Sequence, residues 1–389
     1  MTGPGISGVS AEDLRGWLER RGEPPFRVRQ IQDAIWRSNA ASTTEVPTLP
    51  AALRTALDDD FTWDTLASNE RVVTDGGSTE KVLHRLGDGV AIESVLMHYP
   101  ARSGQRERHT LCISSQAGCA VGCPFCATGE LGFGRDLEAA EILDQVRLAA
   151  RTLALDGRRL TNIVFMGMGE PLLNLDRVLE AVDALNDPTR FGLGARHITV
   201  STSGVVPGIR RLTALGPQFT LAVSLHAARD ALRDVLVPLN RRWPVGEVVA
   251  AAREHARATG RRVSYEVTMI GGVNDTDLDA DAMAGLLAGD LVHVNLIPMN
   301  PVAHTPWTAS PMPVIERFAS RLRAKGIAVT IRRNRGQEVG AACGQLAAER
   351  AGQPAAPAVA LRRRRLETAS AAALRGERSD EPVPIGVAE

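Results

Sequence analysis

The sequence lacks several features that would place it at once in a particular class. Only two of its 45 basic residues, Lys81 and Lys325, are lysines, a bias that codon usage can produce. Lys+Arg and Asp+Glu balance at 45 each, so bulk charge argues neither for nor against a nucleic-acid partner. No apolar run approaches membrane-spanning length, and the N-terminus lacks the basic and apolar regions of a signal peptide. We therefore expect a cytoplasmic protein that has no membrane partner.

Cysteine is also scarce, and it is unevenly placed. Three of the five cysteines, Cys119, Cys123 and Cys126, lie in the run Cys-Ala-Val-Gly-Cys-Pro-Phe-Cys. This clustering fits metal chemistry in a reducing compartment better than a disulfide framework. Iron–sulfur clusters are commonly held by four Cys thiolates, so three in one loop can hold a cubane and leave one iron open for another ligand.

A structural zinc site is the alternative interpretation of this loop. Such a site normally closes with four Cys or His ligands. Cys112 lies upstream on a predicted strand, and no histidine follows Cys126 at the spacing of a zinc finger. The spacing therefore favours the open cluster, with zinc as the second interpretation.

The first third of the chain is predicted to hold a helical module and a β-meander. In residues 1–62, Ser10 and the acidic pair after it are typical of a helix N-cap, and an apolar face follows. That face contains Phe26, Ile31, Ala34, Ile35 and Trp36. Residues 63–107 show short β-like runs separated by glycine turns at 75–77 and 87–89, which predicts the meander.

Residues 108–346 alternate between strand and helix patterns. The predicted strands are 110–114, 162–166, 197–202, 220–225, 263–269, 292–297 and 329–332, with helices at 137–153, 178–185, 247–258 and 314–324. Such alternation indicates an α/β fold built as a partial (β/α)6 TIM-like barrel. Residues 347–389 are rich in Ala, Pro and Arg without sustained apolar periodicity. We predict that this tail is disordered, and that removal of residues 351–389 leaves activity intact if the tail is a passive appendage.

Polar and glycine-rich segments follow the predicted strands, where β/α barrels carry their catalytic groups. Gly169 allows close backbone approach to a ligand, and Glu170 can receive an ammonium group. Ser201, Ser224, His226 and Asn300 offer hydrogen bonds to hydroxyl, carboxylate or adenine groups. Tight turns explain the glycines equally well, and a lone histidine such as His226 is often a packing residue.

The cysteine loop, with Phe125 before its last cysteine, resembles the signature of radical S-adenosylmethionine (SAM) enzymes. Longer segments resemble one branch of that superfamily, the RNA adenine-C2 methyltransferases known as RlmN. The matching segments are 111–119, 165–172, 201–202, 224–226, 293–301 and 341–346. Residues 25–27 are also similar to the N-terminal domain of that family.

The resemblance implies a specific set of cofactors and site residues. Cys119, Cys123 and Cys126 would hold one [4Fe-4S] cluster, whose open iron chelates SAM, with two SAM molecules used per turnover. The SAM contacts that it implies are Gly169, Glu170, Ser201, Ser224, Leu225, His226 and Asn300.

The resemblance also implies three catalytic residues. Cys343 would carry a methyl group, whose radical reacts with the electron-poor C2 that does not attack SAM directly. Cys112 would resolve the protein–RNA adduct through a transient disulfide with Cys343, and Glu93 would accept a proton. Without the resemblance, either cysteine reads as an inert buried thiol and Glu93 as a solvent-facing strand residue.

The implied substrates are an adenosine of 23S rRNA at the peptidyl-transferase centre and the adenosine 3′ to the anticodon in tRNAs. Residues 1–62 are the natural candidate for holding RNA. A flavodoxin-type electron donor and a monomeric state complete the expectation. The sister activity, methylation at C8 of the same rRNA adenosine, is the nearest alternative, and a non-catalytic RNA-binding protein containing zinc is a more distant one.

Overall fold

The N-terminal module is a set of three helices in the computed structural model, which describes residues 3–101, 104, 106–332, 336, 340–346 and 356–378. They are α1 (Ala11–Glu19), α2 (Phe26–Trp36) and α3 (Ala51–Asp60). The predicted cap is confirmed, since the Ser10 hydroxyl accepts the Asp13 N–H at 3.0 Å. On α2, Ile31, Ile35 and Trp36 are buried, so most of its predicted apolar face packs inward, while Phe26 is exposed.

The meander joins the barrel through continuous backbone pairing. Strands β1 (Leu66–Thr74), β2 (Thr79–Leu86) and β3 (Ala91–Tyr99) are antiparallel, and β3 pairs in the same sense with β4 (Arg108–Cys112). β4 begins earlier than predicted because Arg108 pairs with Tyr99 of β3. It also ends earlier, since Ser114 leaves the ladder and donates its hydroxyl to the Glu93 carbonyl at 2.6 Å. Meander and barrel therefore form one sheet.

A short hairpin that the sequence patterns did not predict follows β4. Its strands are β5 (Gln116–Gly118) and β6 (Phe133–Asp136), and the one-turn helix α4 (Ala127–Leu131) lies between them. The three clustered cysteines occupy the loop from β5 to α4.

The remaining strands are parallel to β4 and to one another. They are β7 (Asn162–Phe165), β8 (Ile198–Thr202), β9 (Thr220–Ser224), β10 (Val263–Met269), β11 (Val292–Pro298) and β12 (Ala328–Ile331). The intervening helices are α5 (Ala139–Leu155), α6 (Leu175–Asn186), α7 (Val206–Leu215), α8 (Asp230–Leu236), α9 (Val245–Thr259), α10 (Asp277–Leu287) and α11 (Met312–Ala324). In the described part of the chain the sheet order is β1-β2-β3-β4-β7-β8-β9-β10-β11-β12, open at both ends. The predicted partial barrel is confirmed.

The parallel strands have one apolar and one polar face. Ile163, Ile198, Leu221 and Val294 are almost fully buried on the first face. Polar residues pair across neighbouring strands on the other face, and paired residues share a face. These pairs are Thr199 with Thr220, Ser224 with Glu266, Glu266 with Asn295, and Asn295 with Thr330. The polar face therefore runs under the rim that the strand ends form.

The disorder predicted for residues 347–389 is wrong for 356–378, where helix α12 (Ala356–Leu374) packs against α8. Its buried face is narrow, with Leu366, Ser370 and Ala373 at helical spacing. One leucine and two small residues give too weak a periodic signal to be recognised in an Ala- and Arg-rich segment. The rest of the tail, 347–355 and 379–389, lies outside the described residues. Across the described residues, no helix has both the length and the apolar character that a membrane crossing requires.

Candidate active site at the rim of the barrel

The cysteine loop is folded tightly against the start of β6. The Cys119 N–H donates to the Gly132 carbonyl at 2.8 Å, and the Cys126 N–H donates to the Cys123 carbonyl at 3.1 Å. Gly118 has φ +77°, and a Cβ at this position would lie 1.9 Å from the Gly132 oxygen. Only glycine fits this backbone, so the close approach fixes the course of the loop.

The three thiols pack against apolar groups, and burial shifts the pKa of two of them. Burial raises the pKa of Cys119 to about 12 and that of Cys123 well above its ordinary value, and the neighbouring thiols of the loop raise both further. Within the described residues, no three His, Cys, Asp or Glu side chains are grouped so as to hold a metal ion. The donor set itself fits a cluster, because three thiols in one loop can ligate three irons, and bound metal deprotonates its thiol ligands.

The C-terminal loop that carries Cys343 is tied to this rim. The Asn300 side-chain amide donates to the Cys343 carbonyl at 2.9 Å. The Ala127 N–H, next to the last cysteine of the loop, donates to the Gly344 carbonyl at 2.7 Å. The Thr128 hydroxyl donates to the Leu346 carbonyl at 2.6 Å. These bonds place Cys343 between the cysteine loop and the segment after β11.

Cys112 and Cys343 interact electrostatically with each other, and both are free thiols. Burial raises the pKa of Cys112 to about 12, with Cys343 as the second cause. Cys343 is exposed, yet the protein around its thiol still desolvates it and raises its pKa to about 11. The Arg332 guanidinium, 3.6 Å from the Glu266 carboxylate, opposes both shifts. The fold thus brings together two thiols that lie far apart in sequence.

Glu93 lies on the same face of the sheet as Cys112. Val95 is paired with Cys112, and Glu93 precedes Val95 by two residues, so all three side chains share that face. The alternative of a solvent-facing Glu93 is wrong, because the residue is 4% exposed and its carboxylate lies 3.0 Å from the Lys81 ammonium. The carboxyl group of Glu93 is therefore held inside the rim, in contact with Lys81.

Glu170 joins the loops that follow β7 and β8. Its carboxylate accepts the Ser203 N–H at 2.6 Å, the Ser203 hydroxyl at 2.8 Å and the Leu172 N–H at 3.0 Å. Burial raises the pKa of Glu170, while these hydrogen bonds oppose the rise. Gly169 has φ +103°, and a Cβ there would lie 2.6 Å from the Gln116 side chain. Protein donors fill three of the roughly four lone-pair sites of the carboxylate, which leaves about one site for a ligand ammonium.

His226 adopts a left-handed backbone at φ +59°, which is uncommon for a residue other than glycine. The Asn274 amide stabilises it by donating to the His226 carbonyl at 2.8 Å. The ring lies 4.6 Å from that of Phe125 in the cysteine loop, and its Nδ1 accepts the Thr268 N–H at 3.1 Å. Burial lowers the pKa of His226 to about 3, so the ring is neutral and carries its proton on Nε2.

Known proteins resemble this chain over nearly its whole length. The Radical SAM superfamily matches residues 113–283. The "Probable dual-specificity RNA methyltransferase RlmN" of Parafrankia sp. (strain EAN1pec) is 50% identical over 358 residues, which cover 88% of this chain and 91% of that protein. The protein of the same name from Mycobacterium ulcerans (strain Agy99) is 49% identical over 350 residues, covering 88% of this chain and 94% of that one. The chain belongs to the RlmN family of radical SAM enzymes.

A solved relative has the same fold as this RlmN-family chain. A radical SAM methyltransferase from Sphaerobacter thermophilus superimposes with a TM-score of 0.85 at 46% sequence identity. The alignment covers 89% of this chain and 99% of that one. Family and fold, as expected from the sequence, are thereby confirmed.

The sequence analysis of this RlmN-family chain missed Arg233, a fully buried residue of α8. Its guanidinium donates to the carbonyls of Ser203 at 2.6 Å, Leu225 at 3.0 Å and Ser224 at 3.3 Å. Burial lowers its pKa to about 10, so it stays charged at neutral pH. Leu225 contributes its carbonyl to this arrangement, and its side chain is buried. No spacing or motif signals Arg233, because most of its partners are main-chain oxygens of loops that lie apart in sequence.

The predicted SAM contacts thus lie around one edge of the sheet. Ser201 is paired with Ala222, two residues before Ser224, so both serines lie on the polar face of β8 and β9. Asn300 follows β11 and holds the Cys343 loop. The rim therefore presents both hydrogen-bond donors and acceptors. It lies beside the three thiols of the cysteine loop and the thiols of Cys112 and Cys343.

Proposed function

We propose that this chain methylates C2 of adenosine in RNA by way of a methyl group carried on Cys343. The proposed substrates are the 23S rRNA adenosine of the peptidyl-transferase centre and the adenosine 3′ to the anticodon in tRNAs. The observation that carries the proposal is the pair of hydrogen bonds holding the Cys343 loop, one from Asn300 and one from Ala127 beside the cysteine loop. The relatives named dual-specificity RNA methyltransferases support the substrate class.

Cys119, Cys123 and Cys126 would hold the [4Fe-4S] cluster, and SAM would lie against Gly169, Glu170, Ser201, Ser224, Leu225, His226 and Asn300. When bound, cluster and SAM supply the methyl group and one-electron chemistry, with two SAM molecules per turnover and a flavodoxin-type donor. The residues of the rim supply the rest. Asn300 fixes the backbone of Cys343, and neutral His226 presents an N–H donor beside Phe125.

The thiol pair and Glu93 would carry the later steps. Glu93, whose carboxylate lies 3.0 Å from the Lys81 ammonium, would take the proton that leaves C2, and the unpaired electron of the adduct would pass to the bound cofactors. The Cys112 sulfur would then attack the Cys343 sulfur, forming a disulfide as the bond from Cys343 to the product carbon breaks. The released carbon takes up a proton and becomes the methyl group. A monomer contains all the residues that these steps require.

The N-terminal module is proposed to hold the RNA. Phe26 is 59% exposed at the start of α2, and the Arg27 guanidinium lies 4.9 Å from the centre of its ring. An exposed aromatic ring with an arginine beside it is a typical platform for stacking an unpaired base. Nearby Arg29 is also exposed and can contact phosphate.

The decisive experiment follows the label from methyl-trideuterated SAM. Anaerobically reconstituted protein is incubated with reductant and RNA lacking the modification, and nucleosides are identified by mass spectrometry. We expect 2-methyladenosine that retains two of the three deuteriums, and no product from Cys343→Ala. An 8-methyladenosine product would assign the sister activity, and retention of all three deuteriums would exclude the carried methyl group. Colourless protein that contains zinc would favour the non-catalytic alternative.

A further inference from the structure

Helix α12 packs against α8 and contributes to the hydrophobic cluster that also contains residues of the cysteine loop. Leu366 and Ala373 are 2% and 1% exposed, and they belong to the same hydrophobic cluster as Val121 and Phe125 of the loop. Leu236 of α8 lies in this cluster too. The Ser370 hydroxyl, also buried, donates to the Leu366 carbonyl at 2.7 Å, so the helix buries no unpaired hydroxyl there. Undocking α12 would therefore expose apolar surface of the cluster against which the three cysteines pack.

A polar chain connects the end of this segment to the rim. Arg378 lies 2.9 Å from the Asp234 carboxylate, which is 6% exposed. The Asn240 amide donates to Asp234 at 2.6 Å, and the Asn240 oxygen accepts from Arg233 at 2.9 Å. Arg233 in turn holds the carbonyls of Ser203, Ser224 and Leu225. The path from the C-terminal segment to the loops after β8 and β9 is unbroken.

The charges along this path explain why Arg378, at its outer end, affects the loops of the rim. Asp234 is nearly buried and faces two cations, Arg378 from outside and Arg233 from inside. A buried carboxylate that loses one cation turns to another or stays unpaired at a high cost. Without Arg378, the charge of Asp234 would act more strongly on Arg233, whose N–H groups hold the rim carbonyls. Removing Arg378 should therefore loosen those carbonyls.

We propose that α12 stabilises the rim at which the cofactor would bind, and that Arg378 and Asp234 are positioning residues for SAM. The proposal rests on the proposed assignment of the loops after β8 and β9 to SAM. It gives the C-terminal segment a task in cofactor binding, although none of its residues belongs to the cysteine loop or to the polar face. It also reverses the expectation that residues 351–389 are dispensable.

The test compares two arginine substitutions in the full-length, reconstituted protein. Arg378→Gln breaks the path, whereas Arg375→Gln breaks only an exposed ion pair with Glu377 on the same segment. SAM affinity is measured by equilibrium binding, and local opening by hydrogen exchange. We expect Arg378→Gln to weaken SAM binding roughly tenfold, which corresponds to about 1.4 kcal/mol. Exchange should quicken in residues 203–206 and 224–227, while Arg375→Gln stays like the parent and Arg378→Lys restores binding.

Two results would overturn the proposal. One is SAM affinity and rim protection in Arg378→Gln equal to those in Arg375→Gln. The other is exchange that quickens throughout the chain, with no rescue by Arg378→Lys, since that indicates only general destabilisation. Neither readout uses RNA. If RNA stays unmethylated while the SAM and exchange results are as expected, the proposed function fails and the proposed role of α12 and Arg378 is supported.

Discussion

Two groups of cysteines meet at the rim, and the protein holds them in different ways. Cys119, Cys123 and Cys126 lie close in sequence on a backbone that glycine and one carbonyl fix, against apolar side chains. Cys112 and Cys343 come from opposite ends of the barrel and lie near Arg332, itself close to Glu266. The first group is a local motif, whereas the second exists only in the folded chain. The proposed cofactor ligands can therefore be local in sequence, while the proposed group-transfer thiols are brought together only by tertiary structure.

The largest difference between the two groups of cysteines is expected when one member of each is replaced, in Cys123→Ala and Cys343→Ala. Cys123→Ala should lose the cluster, SAM cleavage and RNA methylation together, because one of three ligands is gone. Cys343→Ala should keep iron and SAM cleavage while RNA methylation falls to background. Iron content, SAM cleavage products and methylated nucleosides are measured on each variant. Loss of iron in Cys343→Ala would show that the groups are not separable.

Glu93→Gln should affect only the steps assigned to Cys112 and Cys343, and not the cysteine loop. If Glu93 takes the proton from C2, its amide variant should methylate RNA about 10²–10⁴-fold more slowly, the usual contribution of general acid–base catalysis. Iron content and methylation of Cys343 itself should not change. Glu80→Gln is the control, since Glu80 is equally buried in the meander but pairs with Arg71 and His98. Equal effects of the two variants would remove Glu93 from the reaction.

Gly118→Ala should affect the cysteine loop first. A methyl group at Gly118 meets the Gly132 oxygen, whereas Gly132, also at positive φ, has open space around its Cβ position. Gly132→Ala should cost about 1–3 kcal/mol from backbone strain alone, because φ 75° with ψ −173° is a conformation that essentially only glycine adopts, and Gly118→Ala should cost more. We expect lower iron content and faster cluster loss only in Gly118→Ala. Absorbance of the reconstituted cluster over time measures this, and equal decay would mean that the close approach is unimportant.

The smallest expected effect is a change in the pH dependence of stability. Burial raises the pKa of Glu170 above its ordinary value of 4.5, so the folded chain binds a proton more tightly there than the unfolded chain. The stability that this adds is present below pH 4.5 and is lost as pH rises through the folded-state pKa. Glu170→Gln should therefore lose less stability as pH rises. Urea unfolding of cluster-free protein from acidic to neutral pH tests the difference in slope.

The sequence predicted what regular patterns encode. Strand β10 has the predicted bounds because Val263, Tyr265, Val267 and Met269 alternate toward the buried face. The cysteine loop was recognisable because its three cysteines lie close together in the sequence. What escaped prediction depends on contacts between distant segments: the docking of α12, the buried carboxylate of Glu93 and the carbonyl partners of Arg233. In each case neither a periodicity nor a spacing carries the information.

The continuous pairing of β3 with β4 has a consequence for how the enzyme can be divided. A fragment that begins at Arg108 would leave β4 as a bare edge, with N–H and C=O groups that Tyr99 and its neighbours now satisfy. Unpaired strand edges pair with other chains, so such a fragment should aggregate, and Cys112 would lie on the unpaired edge. The meander thus covers the edge of the strand that carries Cys112, the proposed resolving thiol, so meander and barrel should be expressed as one piece.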